Sequence, residues 1–329
     1  MKSSPMHPLT LILAIIIFAL PVVDTAGDEV RGYPTLETRP VTFWSDGTRL
    51  AGDLTYPKDI KDGEKLPVIV FCHGWGGTKQ HLNFQIAPRF AKEGFVAFTF
   101  DYRGWGESDS RLVVEGDMPK PDKEGYVTVK ARAIRDLVDP ADQQEDIEAA
   151  ISFVEGESIV DADRIGIWGS SFGGGHVIYR AAIDDRIKCV VAQVGAMNQH
   201  PGDAQAVILH GQKIQRVRGE LEGQGAVPQG VDKQQGLSGT PYSERCVGFA
   251  PVNMTDDIDC PVLMIDADGE HYFNIKEHSG LVYARLKGKV PVEYHVLEGI
   301  THYGVYSGEP LNLVMKLEVP WVLKHLKGE

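Results

Sequence analysis

Cysteine is scarce in this chain of 329 residues: there are four, at Cys72, Cys189, Cys246 and Cys260, and no C-x-x-C pair. That excludes a zinc ribbon and a thioredoxin-like motif. Cys72 and Cys189 lie in apolar, strand-like runs and read as buried thiols. Cys246 and Cys260 flank a loop, and whether they pair stays open, because connectivity cannot be read from spacing. Positive charge is also in deficit, with 33 Lys and Arg against 46 Asp and Glu, a net charge of −13 and no basic run or basic helix face. Nucleic acid and a stable membrane-surface partner are therefore not expected. The stretch from Gly74 to Lys79 has Gly, Thr and Lys but lacks G-K-[ST], so it is no phosphate-binding loop. His271 and His278, with Glu270 and Glu277, look metal-like, yet they stand seven residues apart and not at the four-residue spacing of H-E-x-x-H. No metal and no cofactor are expected. There is no internal repeat, heptad or low-complexity tract.

Long hydrophobic runs are missing too. The run from Leu9 to Leu20 is short of the roughly 20 residues that span a bilayer. It follows Lys2, precedes Pro21 and the small residues Thr25, Ala26 and Gly27, and fits the apolar region of an export signal. We expect residues 1–26 to be a signal peptide and the protein to be secreted or periplasmic. The alternative is an uncleaved N-terminal membrane anchor. No Cys follows the run, so a lipid anchor is not indicated.

What remains, residues 27–329, has the ordinary balance of a globular domain, as 43% hydrophobic and 24% charged residues for the whole chain imply. The runs 41–44 and 50–56 read as a hairpin joined at Ser45-Asp-Gly-Thr48. Residues 66–71 and 95–100 read as buried strands, with a helix at 83–93 between them. A helix at 142–153 precedes a strand at 164–168, and a helix at 174–182 follows it. Strands at 187–194, 262–267 and 292–297 alternate with helices at 275–286 and 313–326. This order predicts an α/β fold: a mostly parallel eight-stranded sheet, helices on both faces and an antiparallel edge. Two connections are long, 108–140 and 198–254, and the second reads as a lid-like insertion.

One pentapeptide carries the chemistry. Gly169-Ser-Ser-Phe-Gly173 is a G-x-S-x-G sequence between a strand-like and a helix-like run. In that context the middle residue, Ser171, sits on a tight strand-to-helix turn that lifts its hydroxyl clear of the sheet. A serine nucleophile needs a base, and the base needs a third group to fix its tautomer. On this scaffold the chain order is serine, acid, histidine. Of eleven histidines, His302 follows the last strand at the carboxyl edge of the sheet, where the serine also opens. His295 lies inside a strand, and His278 and His325 lie in helices. The acid should follow the strand at 262–265. Glu270 is the first choice because it stands several positions into the loop, with Asp268 the runner-up. The oxyanion of the tetrahedral intermediate needs fixed donors. The backbone N–H of Phe172 is one, and that of Trp75, in His73-Gly-Trp-Gly-Gly77, is the second. His73 precedes the serine and reads as a residue that shapes the loop. Trp105 lies beyond the strand at 95–100 and either lines the acyl pocket or packs under the insertion. We take it as substrate-binding.

These residues resemble those of an α/β-hydrolase, close to the dienelactone-hydrolase-like, acetylxylan-esterase-like and related peptidase branch. The resemblance spans about residues 41–326. It rests on His73-Gly-Trp-Gly-Gly77, Asp101-Tyr-Arg-Gly-Trp-Gly-Glu-Ser108, Gly169-Ser-Ser-Phe-Gly173 and Gly299-Ile-Thr-His302. Many relatives carry His-Gly-x-x-Asp after the acid-bearing strand. Here Asp266-Ala267 stands for His-Gly and Glu270 for the aspartate. Dienelactone hydrolases proper use a cysteine nucleophile, so Ser171 argues against that specific activity. With the chain order of serine, acid and histidine and the expected export signal, the leading expectation is a secreted serine esterase acting on a small-molecule or polymer ester. A serine peptidase and a non-catalytic binding module of the same fold are the alternatives.

Overall fold

The computed structural model describes residues 28–30, 32–199, 202–221, 227–228 and 237–329. The expected signal peptide and the centre of the 198–254 insertion lie outside the described residues. The main sheet has nine strands, one more than expected. They are β1 (Asp28–Val30), β2 (Tyr33–Ser45), β3 (Thr48–Pro57), β4 (Leu66–Cys72), β5 (Val96–Phe100), β6 (Val160–Ser170), β7 (Ile187–Gln193), β8 (Val262–Gly269) and β9 (Val292–Thr301). Their spatial order is β1-β2-β3-β5-β4-β6-β7-β8-β9. The first three strands and β5 pair antiparallel, and every pair from β5 across to β9 is parallel. The additional strand is the three-residue β1, too short to carry a period-2 pattern in sequence.

Alternation along the parallel strands sorts side chains to two cores. Val68 and Val70 of β4, Ile165 and Ile167 of β6, and Val262 and Met264 of β8 join one core. Ile69, Phe71, Trp168, Leu263 and Ile265 join the other. The first is covered by α3 (Pro140–Glu155), α4 (Phe172–Ala181) and α6 (Ser279–Leu286). The second is covered by α1 (Lys79–Gln85), α2 (Ala87–Ala91) and α7 (Gly308–Val322).

Several elements depart from expectation for local reasons. The helix expected at 83–93 is broken at Ile86, because Pro88 lacks an N–H and is tolerated only in a first turn, which starts α2. The helix expected at 275–286 is a 3₁₀ turn, Ile275–Glu277, and then α6, separated by His278 at φ −110°, ψ −107°. The insertion contains α5 (Asp203–Val217), a helix not read in the sequence. Its residues Val207, Ile208, Ile214 and Val217 are exposed, so its apolar pattern does not face the core. The insertion is tied to the body by Arg245, whose Nη1 donates to Asp139 Oδ2 at 2.7 Å, and by pairing of Thr240–Pro241 with Leu137–Val138. Cys246 and Cys260 do not pair: all four cysteines are free and buried.

Candidate active site

Ser171 sits between the end of β6 and the start of α4 with φ 57° and ψ −122°, a conformation that L-residues rarely adopt. Such strain costs of the order of 1–3 kcal/mol and persists only where surrounding contacts enforce it. Here the Ser171 N–H donates to the Gln193 carbonyl at 2.9 Å, and the Ser171 carbonyl accepts from the N–H groups of Gly174 and Ala196 at 3.0 and 2.9 Å. The flanking glycines are sterically required. A Cβ at Gly169 would lie 2.2 Å from the Gly173 carbonyl oxygen, and one at Gly173 would lie 2.2 Å from that of Cys72. Ser170 turns the other way, its Oγ 2.6 Å from the Tyr306 hydroxyl.

The last two strands bring Glu270 and His302 together. Their pairing runs in register to Ala267 and Leu297, shifts, and resumes at Gly269 and Thr301. The next residue on each strand is Glu270 on one side and His302 on the other, so a bulge in β9 sets the pair. Gly269 is required there, because a Cβ would lie 2.8 Å from the Ile300 carbonyl oxygen. Glu270 Oε2 lies 2.5 Å from His302 Nδ1, and His302 Nε2 lies 3.1 Å from Ser171 Oγ. An ionised carboxylate only accepts, so the proton between them sits on Nδ1 and leaves Nε2 as acceptor for the serine hydroxyl. Glu270 Oε1 accepts from the N–H groups of His271 and Tyr272, both at 2.9 Å. Burial raises the pKa of Glu270, but the hydrogen bonds from His302 and from these N–H groups outweigh it and hold the carboxyl below its ordinary value. The side chains of His302 and Glu270 are almost fully buried.

Asp268, the runner-up acid, is placed differently. Its Oδ1 accepts from the Ile300 N–H at 3.2 Å and so fastens the bulge ahead of His302. His295 faces Glu293 on an exposed stretch of β9. His278 Nδ1 accepts from the Met197 N–H at 2.9 Å and its ring stacks on Phe273. Burial pushes its pKa down to about 4.

The loop after β4 closes on the serine. Its turn is fixed by the Gly77 N–H donating to the Gly74 carbonyl at 3.1 Å, which leaves the Trp75 N–H outside that hydrogen bond. Gly74 packs so closely that a Cβ there would lie 2.8 Å from Ser171 Cβ. The Phe172 N–H is the first of α4 and has no partner within the helix. The Trp75 and Phe172 rings meet edge to face at 5.3 Å. His73 lies beneath the loop, its Nδ1 3.0 Å from the Gly74 carbonyl oxygen and its ring 4.3 Å from that of Tyr102. Burial lowers its pKa to about 4, which keeps it neutral. The stretch 101–108 supports this loop: Asp101 accepts from the N–H groups of Lys79 and Glu107 at 2.7 and 2.9 Å.

Trp105 does not line the site. It is 4% exposed, packs in the core and donates Nε1–H to the Leu137 carbonyl at 2.8 Å. Gly239 of the insertion lies against its ring at φ +101°. It packs under the insertion, because its indole N–H needs a buried acceptor and finds one there.

Two cavities flank Ser171. One, of about 290 Å³, is walled by Trp75 and Phe172, by Tyr272 and Phe273 beyond the acid, and by Asn198, Gln205 and Leu209 of the insertion. The other, of about 420 Å³, is walled by the 73–77 loop, by His81 and Gln85 of α1, and by His302, Tyr303 and Tyr306. Leu237 borders both. Of these walls, sequence reasoning named Trp75, Phe172 and the insertion, and it missed His81, Gln85 and the aromatics Tyr272, Phe273, Tyr303 and Tyr306. The only signal for them was position: Tyr272, Phe273 and Tyr303 directly follow the acid and the histidine. Among the described residues no group of three or more His, Cys, Asp or Glu could hold a metal ion.

Residues 52–215 match the dienelactone hydrolase family. A 31.7 kDa uncharacterised protein from the traX-finO intergenic region of Escherichia coli is 28% identical over 292 residues, which cover 80% of this chain and 92% of that protein. The α/β hydrolase GrgF from Penicillium sp. sh18 superposes with a TM-score of 0.65 at 18% identity, covering 88% of this chain and 99% of that one. An acetyl xylan esterase from Paenibacillus sp. R4 superposes with a TM-score of 0.58 at 22% identity, covering 91% and 88%. At these identities the two structures establish the shared fold.

Proposed function

For a chain that has the α/β-hydrolase fold and matches the dienelactone hydrolase family over residues 52–215, we propose the role of a serine hydrolase that cleaves uncharged carboxylic esters. The observation that carries this reading is the continuous chain of contacts from Glu270 through His302 to Ser171, at 2.5 and 3.1 Å.

In this mechanism His302 Nε2 takes the hydroxyl proton as Ser171 Oγ attacks the ester carbon. Glu270 stabilises the resulting imidazolium without itself taking the proton. The N–H groups of Phe172 and Trp75 receive the oxyanion. The strained elbow and the glycines of the 73–77 loop bring those donors to the serine before substrate arrives. The imidazolium then protonates the departing alkoxide, and water releases the acyl group by the same steps.

Ester cleavage is preferred over aminopeptidase or dipeptidyl-peptidase action by what walls the cavities. Among the described residues no Asp, Glu, Lys or Arg lines either one. A peptide with a free α-ammonium group would be desolvated there with no carboxylate to receive it. The test is labelling of purified protein with a fluorophosphonate, with hydrolysis of short p-nitrophenyl esters and aminoacyl amides measured in parallel. Labelling confined to Ser171, with ester turnover exceeding amide turnover, is expected. Failure of labelling, or amide turnover without ester turnover, rejects the reading. We further propose export, with removal of residues 1–26. Sequencing the N-terminus of protein recovered outside the cytoplasm tests that, and an intact Met1 in such material counts against cleavage.

A further inference from the structure

We propose that the two cavities divide the ester between them. The alcohol occupies the cavity bordered by His302, and the acyl group occupies the smaller cavity bordered by Phe172. There it is read as an uncharged group that carries its own hydrogen-bonding atoms. This rests on the serine-hydrolase reading above and adds the substrate class.

The assignment follows from where the proton must go. When the Ser171 Oγ–carbon bond forms, the hydroxyl proton passes to His302 Nε2. When the bond from that carbon to the alcohol oxygen breaks, the same proton passes to the leaving oxygen. The alcohol must therefore depart within reach of Nε2. His302 borders the 420 Å³ cavity and does not border the 290 Å³ one. The smaller cavity instead meets Phe172, whose N–H is a proposed oxyanion donor, and is left for the remaining substituent of the carbonyl carbon.

The wall of that acyl cavity is unusual for a site accepting a plain alkyl chain. Asn198, Gln199, Gln205 and Ser243 place three carboxamides and a hydroxyl beside Leu209 and Phe273. Carboxamides both donate and accept, so they match a hydroxyl, carbonyl or amide on the acyl chain without requiring charge. A carboxylate or ammonium there would lack a counter-ion among the described residues, at a heavy desolvation cost. The volume is at the lower end for small-molecule sites, roughly 300–1,000 Å³. It suits a compact acyl group better than a long chain.

The experiment separates the two cavities by the order of events. The alcohol has left before the acyl-enzyme reacts with water, and the water enters on that side beside His302, so the alcohol side can alter the rate of deacylation but not its selectivity between acyl groups. Gln85 and Gln205 are both exposed wall residues, one in each cavity. Once fluorophosphonate labelling of Ser171 has established the nucleophile, single-turnover acylation and deacylation are measured for wild type, Gln85→Leu and Gln205→Leu. The substrates are p-nitrophenyl and glyceryl esters of 3-hydroxybutyrate, its methyl isostere 3-methylbutyrate, and succinate. The wild type should prefer 3-hydroxybutyryl over 3-methylbutyryl by about tenfold, the worth of one hydrogen bond. It should turn over the succinyl monoester least. Gln205→Leu should erase the hydroxyl preference and change deacylation. Gln85→Leu should change the p-nitrophenyl to glyceryl ratio in acylation and leave the preference between acyl groups unchanged. A preference for 3-methylbutyryl, succinyl turnover equal to the neutral esters, a loss of the hydroxyl preference in Gln85→Leu, or an unchanged hydroxyl preference in Gln205→Leu overturns the proposal. Absence of labelling instead removes the serine-hydrolase reading beneath it.

Discussion

Glu270 uses both carboxylate oxygens, one on His302 and one on two successive backbone N–H groups. Its length and its charge therefore do separate work. Glu270→Gln preserves the reach but presents a neutral amide and permits the wrong histidine tautomer. We expect kcat to fall by roughly 10²–10⁴ with KM little changed, checked by steady-state kinetics on a short-chain ester. Glu270→Asp keeps the charge and loses one methylene, so it should retain more activity than the glutamine variant. The reverse order would mean that reach, and not charge, is what matters. Ser171→Ala should remove all turnover above the level supplied by the donors alone. The serine and the histidine were legible because each is bracketed by strand and turn signals that fix it at one edge of the sheet. The acid was legible as a choice between two carboxylates. What sets Glu270, and not Asp268, against His302 is the bulge that lets Gly269 meet Thr301, a matter of register that leaves no mark on composition.

At the scale of elements, backbone crowding at the elbow sets the tolerance. Gly173→Ala would force a Cβ to within 2.2 Å of the Cys72 carbonyl oxygen, where β4 meets α4. It should prevent accumulation of folded protein. Gly299→Ala stands at φ +72° with open space around it, and should cost only about 1 kcal/mol. Chemical denaturation of the second variant beside soluble yield of the first tests the contrast, and equal tolerance would contradict the packing described here. Asp268→Ala removes the acceptor that pins Ile300. It should lower kcat severalfold through His302 placement while leaving fluorophosphonate labelling of Ser171 detectable. A change in KM alone would speak against that route. The core strands and the helices beside them were readable because their apolar periodicity points inward. The insertion was not. In α5 the buried Leu209 is outnumbered by exposed aliphatics, so the pattern points away from the body. Trp105 was misplaced for a related reason: which side of it the insertion covers depends on Gly239, more than a hundred residues later in the chain.

For the whole molecule, stability should decline toward alkaline pH. Glu318 of α7 is fully buried, accepts from Trp168 Nε1 at 3.0 Å, and is pushed by burial from 4.5 up to about 8. Its folded pKa lies above its unfolded one, so the folded state holds the proton that the unfolded state has lost. Stability therefore falls as pH rises from about 4.5 to about 8, by up to roughly 1.4 kcal/mol per pH unit from this one group. Asp266, raised by burial to about 7 despite hydrogen bonds from Tyr294 and Ser279, carries the same sign. Glu318→Gln keeps an acceptor for Trp168 and has no proton to lose. Urea unfolding of the two proteins across pH 5–9 should show a gap that widens with pH in favour of the variant, and a pH-independent gap would refute the assignment.

The insertion is fastened to the body at Asp139 and along Leu137–Val138, whereas the proposed nucleophile, base and acid all stand at strand ends of the central sheet. The proposed chemistry and part of the pocket wall thus reside on separately replaceable parts. A related sequence grafted between Asn198 and Met254, with those fastenings retained, would inherit the same bond-breaking apparatus and acquire a different palate.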